Sequence, residues 1–378
     1  MRAPLPTKSH DVAVVGGGIV GLACAWYAAR RGMSVVVLER DGLGSGASDV
    51  AAGMLAPVTE ADFGEHELLE LNLAAAGRWA DFAAELETAS GLSTGFRETG
   101  ALVVAADRDD AEELGRLTEL HEALGLPSRW LGPRECRALE PGLSPRVRGA
   151  IHAPRDNQAD PAGTVRALAA ACRGAGVELC ERVEVAELVH EGGAVVGVAT
   201  ATGGISARAV VIAAGAWSSA LVPDAPPIRP VKGQIATLRA PDPALAPRHV
   251  VRTPRCYMLA RDDGRVVLGA TVEERGFDAT TTADGVFRLL EAAREVLPDV
   301  GELEWNGVRA GLRPGTPDNL PVVGRGTVDG LVWATGHYRN GVLLAPLTGE
   351  AVADLLDAGV EPPAALSAER FTAARAAR

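Results

Sequence analysis

DVAVVGGGIVGLACAWYAARRGMSVVVLER, residues 11–40, is the segment from which the architecture of this chain follows. Asp11 to Val15 is an apolar run suited to a strand buried on both faces. Gly16, Gly18 and Gly21 follow at G-x-G-x-x-G spacing and open a helix of small residues, expected from Ile19 and Val20 to Arg30. Gly32 stops that helix, Ser34 to Leu38 reads as a second buried strand, and Glu39 stands at its end beside Arg40. The glycines differ in what they permit. One allows a tight turn, one lets a pyrophosphate come close to backbone, and one lets helix pack closely on strand. The helix N-terminus offers unpaired N–H groups and positive partial charge to phosphates. Glu39 is the acid placed to accept from ribose hydroxyls. Strand, turn, helix, strand and acid together predict a bound dinucleotide.

At 378 residues the chain is long for a single core, so two domains are expected. Hydrophobic residues make up 47% and charged residues 23%, as in an ordinary globular enzyme. The net charge of −12, with no basic run, argues against a nucleic-acid or anionic-membrane binder. No apolar stretch reaches the roughly 18 residues of a membrane span. The opening MRAPLPTKSH lacks an apolar core segment and reads as a short tail, not a signal peptide. The five cysteines, at 24, 136, 172, 180 and 256, are odd in number and form no C-x-x-C, which points to reduced thiols and a cytoplasmic protein. Cys24, inside the first helix, is a packing residue. The seven histidines are scattered without metal-ligand spacing, so no metal site is expected.

Later segments look like further parts of the dinucleotide-binding unit. Asp160-Pro161 is an N-cap and N1 pair for a helix to about Arg173, stopped by Gly174 and Gly176. Val177 to Val185 reads as a strand, and Ala209 to Gly215 as a buried strand ending in a small-residue turn before Trp217. Leu331 to Ala334 and a helix from Asn340 to Leu356 close the chain. Between these pieces the texture changes. Arg97 to Ala105 alternates like a strand, and Leu114, Leu117, Leu120 and Leu124 share one helical face. Ile228 to Leu238 is strand-like, and Asp262-Asp263-Gly264 joins two halves of Cys256 to Thr271 in a hairpin. Phe287, Leu290 and Leu297 mark a further helix. The expected fold is α/β, a Rossmann-like FAD-binding domain of glutathione-reductase type plus an antiparallel α+β substrate domain. Residues 1–92, 152–224 and 307–378 are expected to form the first domain, and 93–151 and 225–306 the second.

NAD and FAD domains share the opening fingerprint; three loops favour FAD. Gly44 to Met54 is a small-residue loop just after Glu39-Arg40, suited to backbone contact with an extended phosphate and flavin. Val211 to Ser218 supplies the apolar strand and small turn. In Gly336 to Glu350, a helix starting near Asn340 aims its N-terminus at the flavin C2 carbonyl, where negative charge gathers on reduction.

With GGGIVG and Glu39, ASDVAAGM, VVIAAGAWS, PVKGQ, CYMLARDDGRVVLGAT, AGLRPGTPDNLPVVG and GHYRNGVLLAPLTGE in place, the chain resembles the D-amino-acid oxidase superfamily over residues 11–356. Within it the bacterial glycine oxidases of thiamine biosynthesis are most similar. The resemblance implies non-covalent FAD, oxidation of a small amine or amino acid by O₂ to an imine and then a 2-oxo acid with H₂O₂, and a homo-oligomer, often a tetramer. It implies cofactor contacts at Ala47, Ser48, Ala52, Gly53 and Met54, at Val185 and Gly215, and along His337, Tyr338, Arg339, Asn340, Gly341, Val342 and Leu343. Arg313 is implied as the grip on the substrate carboxylate, a planar guanidinium with bidentate donors. Arg339 is expected at the mouth of the same pocket, and Tyr257 as a second donor to the carboxylate.

Two positions depart from the family pattern: Val272 where methionine is expected, and Arg255 where histidine is. Were Arg255 to face the pocket, a second anionic group on the substrate would be tolerated. Other readings are a D-amino-acid dehydrogenase, a sarcosine-oxidase-like enzyme, which would imply flavin linked through a cysteine although Cys256 stands in no flavin-linking context, and a non-catalytic flavin-binding scaffold or sensor.

Overall fold

The computed structural model describes residues 9–222 and 225–371. Of the expected amino-terminal tail, Ser9 and His10 begin the first strand and the rest lies outside the described residues.

Strand Ser9–Val15 lies in the middle of a sheet because Val12, Ala13 and Val14 offer water nothing on either face. It pairs in parallel with Val35–Glu39 on one side and with Gly203–Ile212 on the other. Across this sheet the order is Val322–Arg325, Leu331–Thr335, Gly203–Ile212, Ser9–Val15, Val35–Glu39, Glu178–Glu181. The hairpin of Val185–Glu191 and Ala194–Thr200 joins it through Gly203–Ile212. Helices Ile19–Arg30, His66–Ser90, Pro161–Gly174 and Gly341–Ala358 cover one face and share a core with Val12, Val14, Val35 and Val37. The other face buries Ala13, Val15, Val36 and Leu38 against Trp333, Ile228 and the hairpin. Asp160 caps Pro161–Gly174 through Ala162 N–H, as its position before proline predicts.

A second sheet runs Glu304–Gly315, Arg229–Arg239, Arg265–Gly269, Tyr257–Ala260, Val250–Arg252, Ala101–Ala105, Gly149–Ala153, Arg129–Leu131. Every neighbouring pair in it is antiparallel except Val250–Arg252 with Ala101–Ala105. Helix Ala283–Val296 packs on it through Leu289, Ala292, Ala293 and Val296. The fold is the expected α/β class with an essentially antiparallel second sheet.

Five local readings change. Val177–Val185 is not one strand: Arg182 turns into the left-handed region, and Arg182 and Val183 N–H groups bond to Asp41 and Glu39 carbonyls. That break carries 183–185 toward the glycine-rich turn. The Arg97–Ala105 strand is regular only over Ala101–Ala105, where all five residues are buried, while Arg97 bridges to Gln158. Phe287 is 61% exposed, so the buried face of its helix is rotated from the one expected. Of the Leu114 face only Leu114 is fully buried, because that helix lies at the rim over Val103 and Ile151. The boundary at 307 falls inside Glu304–Gly315, which belongs to the second sheet along its length.

Candidate active site

One large cavity runs from the glycine-rich turn to the second sheet. At its first end, Gly16 has φ +109°, and a Cβ there would lie 2.4 Å from the Ala213 carbonyl oxygen, so no side chain fits. Gly16, Gly18, Ile19 and Val20 line the cavity. Gly21 does not; it presses the helix onto the turn, a Cβ there falling 2.0 Å from Gly16 O. Helix Ile19–Arg30 has no side-chain cap and no acid in its first turn, although Ile19 N–H donates to Ser48 Oγ at 3.0 Å. Glu39 accepts from Gly17 N–H at 2.7 Å and Asp41 N–H at 2.9 Å. Both oxygens are thereby fixed, with lone pairs left for hydroxyl donors. Arg40 stacks over the Trp217 ring at 4.6 Å, and both line the cavity with Val185 and Gly215. Uncapped N–H groups, a glycine-only turn and an anchored acid fit a dinucleotide.

Midway, Ala47, Ser48, Ala52, Gly53 and Met54 line one wall, and His337, Tyr338, Arg339, Asn340, Gly341 and Val342 another. Helix Gly341–Ala358 begins at Asn340 without a side-chain cap bond or an acid in its first turn. Its positive end therefore stays available for an electron-rich group in the cavity. Burial pushes His337 down to about 3, so the imidazole is neutral, paired through Nε2 with Thr348 Oγ1 at 2.9 Å. Leu343 does not line the cavity: it is buried in the helical core, and its carbonyl accepts from Trp79 Nε1 at 2.9 Å. Arg261 ties the Ala52 loop to the second sheet by donating to Ala52 O and to Gln158 Oε1. Burial lowers this guanidinium to about 10.

At the far end the side chains come from separate strands. Arg313 stands opposite Val231 in the register of Glu304–Gly315 with Arg229–Arg239. Its guanidinium lies across Gly233, where a Cβ would fall 2.3 Å from Nη1, and donates to the Thr271 carbonyl at 3.1 Å. Tyr257 pairs with Gly269, where a Cβ would fall 2.4 Å from the phenol oxygen. Two glycines thus make the floor on which the two side chains lie. Burial raises the Tyr257 phenol while the neighbouring Arg313 opposes it. Arg339 reaches the same end, and Arg313, Tyr257 and Arg339 all line the cavity.

Glu60, which no sequence motif marks, lines the cavity among them. Its carboxylate pairs with Arg252 Nη1 at 2.8 Å and Arg339 Nε at 3.6 Å. Burial alone would raise it, but Arg252, Arg339 and Arg313 outweigh that and hold it below the usual carboxylate range. Asp156 accepts from Val58 and Thr59 N–H groups and from the Thr59 hydroxyl. Burial pushes that acid up to about 6. Glu60 in TEAD and Asp156 in RDNQ look like surface residues until the chain folds.

Arg255 does not face the cavity. It pairs with Glu295 on helix Ala283–Val296 at 2.5 Å, and Val272 is 62% exposed. Cys256 is buried away from the cavity lining, and burial raises its thiol to about 11. Burial raises Cys24 to about 12, consistent with a packing role. Among the described residues no group of His, Cys, Asp and Glu could hold a metal, and no helix is long and apolar enough to cross a membrane.

Residues 11–355 match the family model DAO, FAD dependent oxidoreductase. The chain is 37% identical to a glycine oxidase of Geobacillus kaustophilus over 93% of its own length and 94% of that protein's. It is 36% identical to a bifunctional protein ThiO/ThiG of Synechocystis over 96% of its length, spanning 54% of that longer protein. The crystal structure of glycine oxidase from Geobacillus kaustophilus superposes with a TM-score of 0.90 at 36% identity, covering 96% of this chain and 99% of that one. The chain belongs to the DAO family of FAD-dependent oxidoreductases and is a flavoenzyme of the amino-acid oxidase class.

Proposed function

We propose that this enzyme oxidises glycine and other small amines or D-amino acids with O₂. The observation that carries the reading is the pairing of Arg313 and Tyr257, each lying over a glycine at the end of a cavity whose other end suits a dinucleotide. Arg313 grips the substrate carboxylate through two parallel donors, and Tyr257 adds a third. With the carboxylate fixed, the Cα–H and amine have one orientation in the cavity, and the entropy of alignment is met on binding. Gly16, Gly18, Glu39 and the start of helix Ile19–Arg30 would hold the FAD diphosphate and ribose. Asn340, Gly341 and Val342 would lie at its flavin ring. FAD, when bound, supplies hydride acceptance and onward electron transfer to O₂. The positive end of helix Gly341–Ala358 stabilises the charge that this chemistry creates. Water then takes the imine to glyoxylate and ammonia, so that glycine, O₂ and H₂O give glyoxylate, NH₃ and H₂O₂.

On the same reading, residues 1–92, 152–224 and the chain after Gly315 serve the cofactor, and 93–151 with 225–315 serve the substrate. Likeness to ThiO/ThiG and to glycine oxidases supports a role in thiamine thiazole synthesis, and a cytoplasmic homo-oligomer is part of the same proposal. The purified flavoprotein is tested with glycine in air, measuring glyoxylate, ammonia, O₂ uptake and H₂O₂. Equal amounts of all four are expected. Glyoxylate formed with an added quinone but not with O₂ would overturn the oxidase in favour of a dehydrogenase.

A further inference from the structure

Glu60 sits in the cavity on a segment that is fastened from behind. Asp156, fully buried, accepts from Val58 N–H at 3.1 Å, Thr59 N–H at 2.7 Å and the Thr59 hydroxyl at 2.7 Å. Arg252 donates to the Thr59 carbonyl and pairs with Glu60 Oε1 at 2.8 Å. The Glu60 side chain is 10% exposed, and its second oxygen is turned to Arg339 Nε at 3.6 Å. This network brings the Glu60 carboxylate, already paired on one oxygen with Arg252, to the end of the cavity that Arg313 and Arg339 also line. A glycine-like substrate brings one carboxylate, enough for Arg313. Arg339, whose side chain is 31% exposed, has Asp62 and Glu65 as more distant negative charges, and Glu60 is the acid it pairs with in the cavity.

We propose that Glu60 determines substrate charge: by occupying Arg339 it restricts the site to amino acids with one anionic group and excludes those with a second. The inference rests on the carboxylate-binding role given to Arg313 above. Arg255 cannot supply the second cation, because it turns away to Glu295. Arg339 is therefore the cation at this end of the cavity that a second carboxylate would use. Glu60 both neutralises it and repels the incoming group. Glu60 is a positioning residue here, acting through Arg339.

The test uses the FAD-loaded protein and two ligands that are not oxidised, acetate and malonate, read by perturbation of the bound flavin's absorption. Wild type is expected to bind acetate about tenfold or more tightly than malonate. In Glu60→Gln, malonate binding should rise by about tenfold or more while acetate changes by less than about threefold. Glu60→Asp, which keeps the charge, should retain the wild-type preference. Adding Arg339→Gln to Glu60→Gln should abolish the malonate gain. Equal change for both ligands in Glu60→Gln would mean a purely structural role and overturn the proposal. So would wild type binding malonate as well as acetate, a result that needs no variant to fold. Wild type binding neither ligand would overturn the carboxylate site itself, and the proposal with it.

Discussion

The two ends of the cavity are built by opposite means. The core of the dinucleotide end comes from about thirty consecutive residues, completed by Val185, Gly215 and Trp217, and its working groups are backbone N–H atoms, a turn that only glycine can make, and one anchored acid. The proposed substrate end is assembled from Glu60, Tyr257, Arg313 and Arg339, far apart in the chain and brought together by strand register and ion pairs. In the proposed reading backbone chemistry holds the cofactor, and side-chain chemistry gathered from strands and loops chooses the substrate.

Substitutions can separate the two ends. The largest effect is expected for Arg313→Met, which should cost about 2–5 kcal/mol of substrate binding, on the order of thirty- to several-thousand-fold in kcat/KM. Its flavin content should stay at the wild-type level. Loss of flavin in that variant would show that the ends are not independent. The converse variant is Gly16→Ala, where the backbone conformation alone costs about 1–3 kcal/mol and the Ala213 carbonyl blocks a Cβ. It should purify with little or no FAD, measured as the ratio of flavin to protein absorbance, and full occupancy would refute the backbone account.

A finer probe is Gly269→Ala, which pushes on the Tyr257 phenol without touching Arg313. A rise in KM of about tenfold, the worth of one hydrogen bond to a charged group, is expected with flavin binding unchanged. A last probe, read in stability against pH rather than in kinetics, concerns the wall shared by both ends. His337 is held neutral with its pKa lowered from 6.5 to about 3, so the unfolded chain takes up its proton first as pH falls. Its contribution is present above about pH 6.5 and is lost progressively as pH falls toward about 3, by up to about 1.4 kcal/mol per unit. His337→Gln should flatten the acid side of a Tm-against-pH curve. An unchanged slope would place the acid sensitivity elsewhere.

The same contrast explains what is legible before folding. The glycine spacing, the Asp160-Pro161 cap and the Asp262-Asp263-Gly264 turn act within a few residues, so each can be read from the chain and each stands in the structure. Arg313, Tyr257 and Arg339 are reached through family motifs rather than periodicity. Glu60, Asp156 and Arg252 carry no local pattern; their meaning comes from contacts across about 100 to 280 positions. Arg255 misleads for the same reason, since an arginine beside Cys256-Tyr257 can point to either side of its strand end, and here Glu295 claims it. Helix His66–Ser90 is missing from the expected elements although Leu68, Asn72, Ala75, Trp79, Phe82 and Leu86 repeat at helical spacing. Phe287 shows the converse error, a large apolar residue expected in the core that remains in solvent.

The most direct test of the central claim is an anaerobic titration of the flavoprotein with glycine, followed spectroscopically, in wild type and Arg313→Met. Wild type should bleach at low glycine and recover its colour on admission of air with release of H₂O₂, while Arg313→Met stays yellow at the same concentrations. Bleaching of both proteins at the same glycine concentration would contradict the assignment of Arg313, and no bleaching of either by glycine would contradict the substrate.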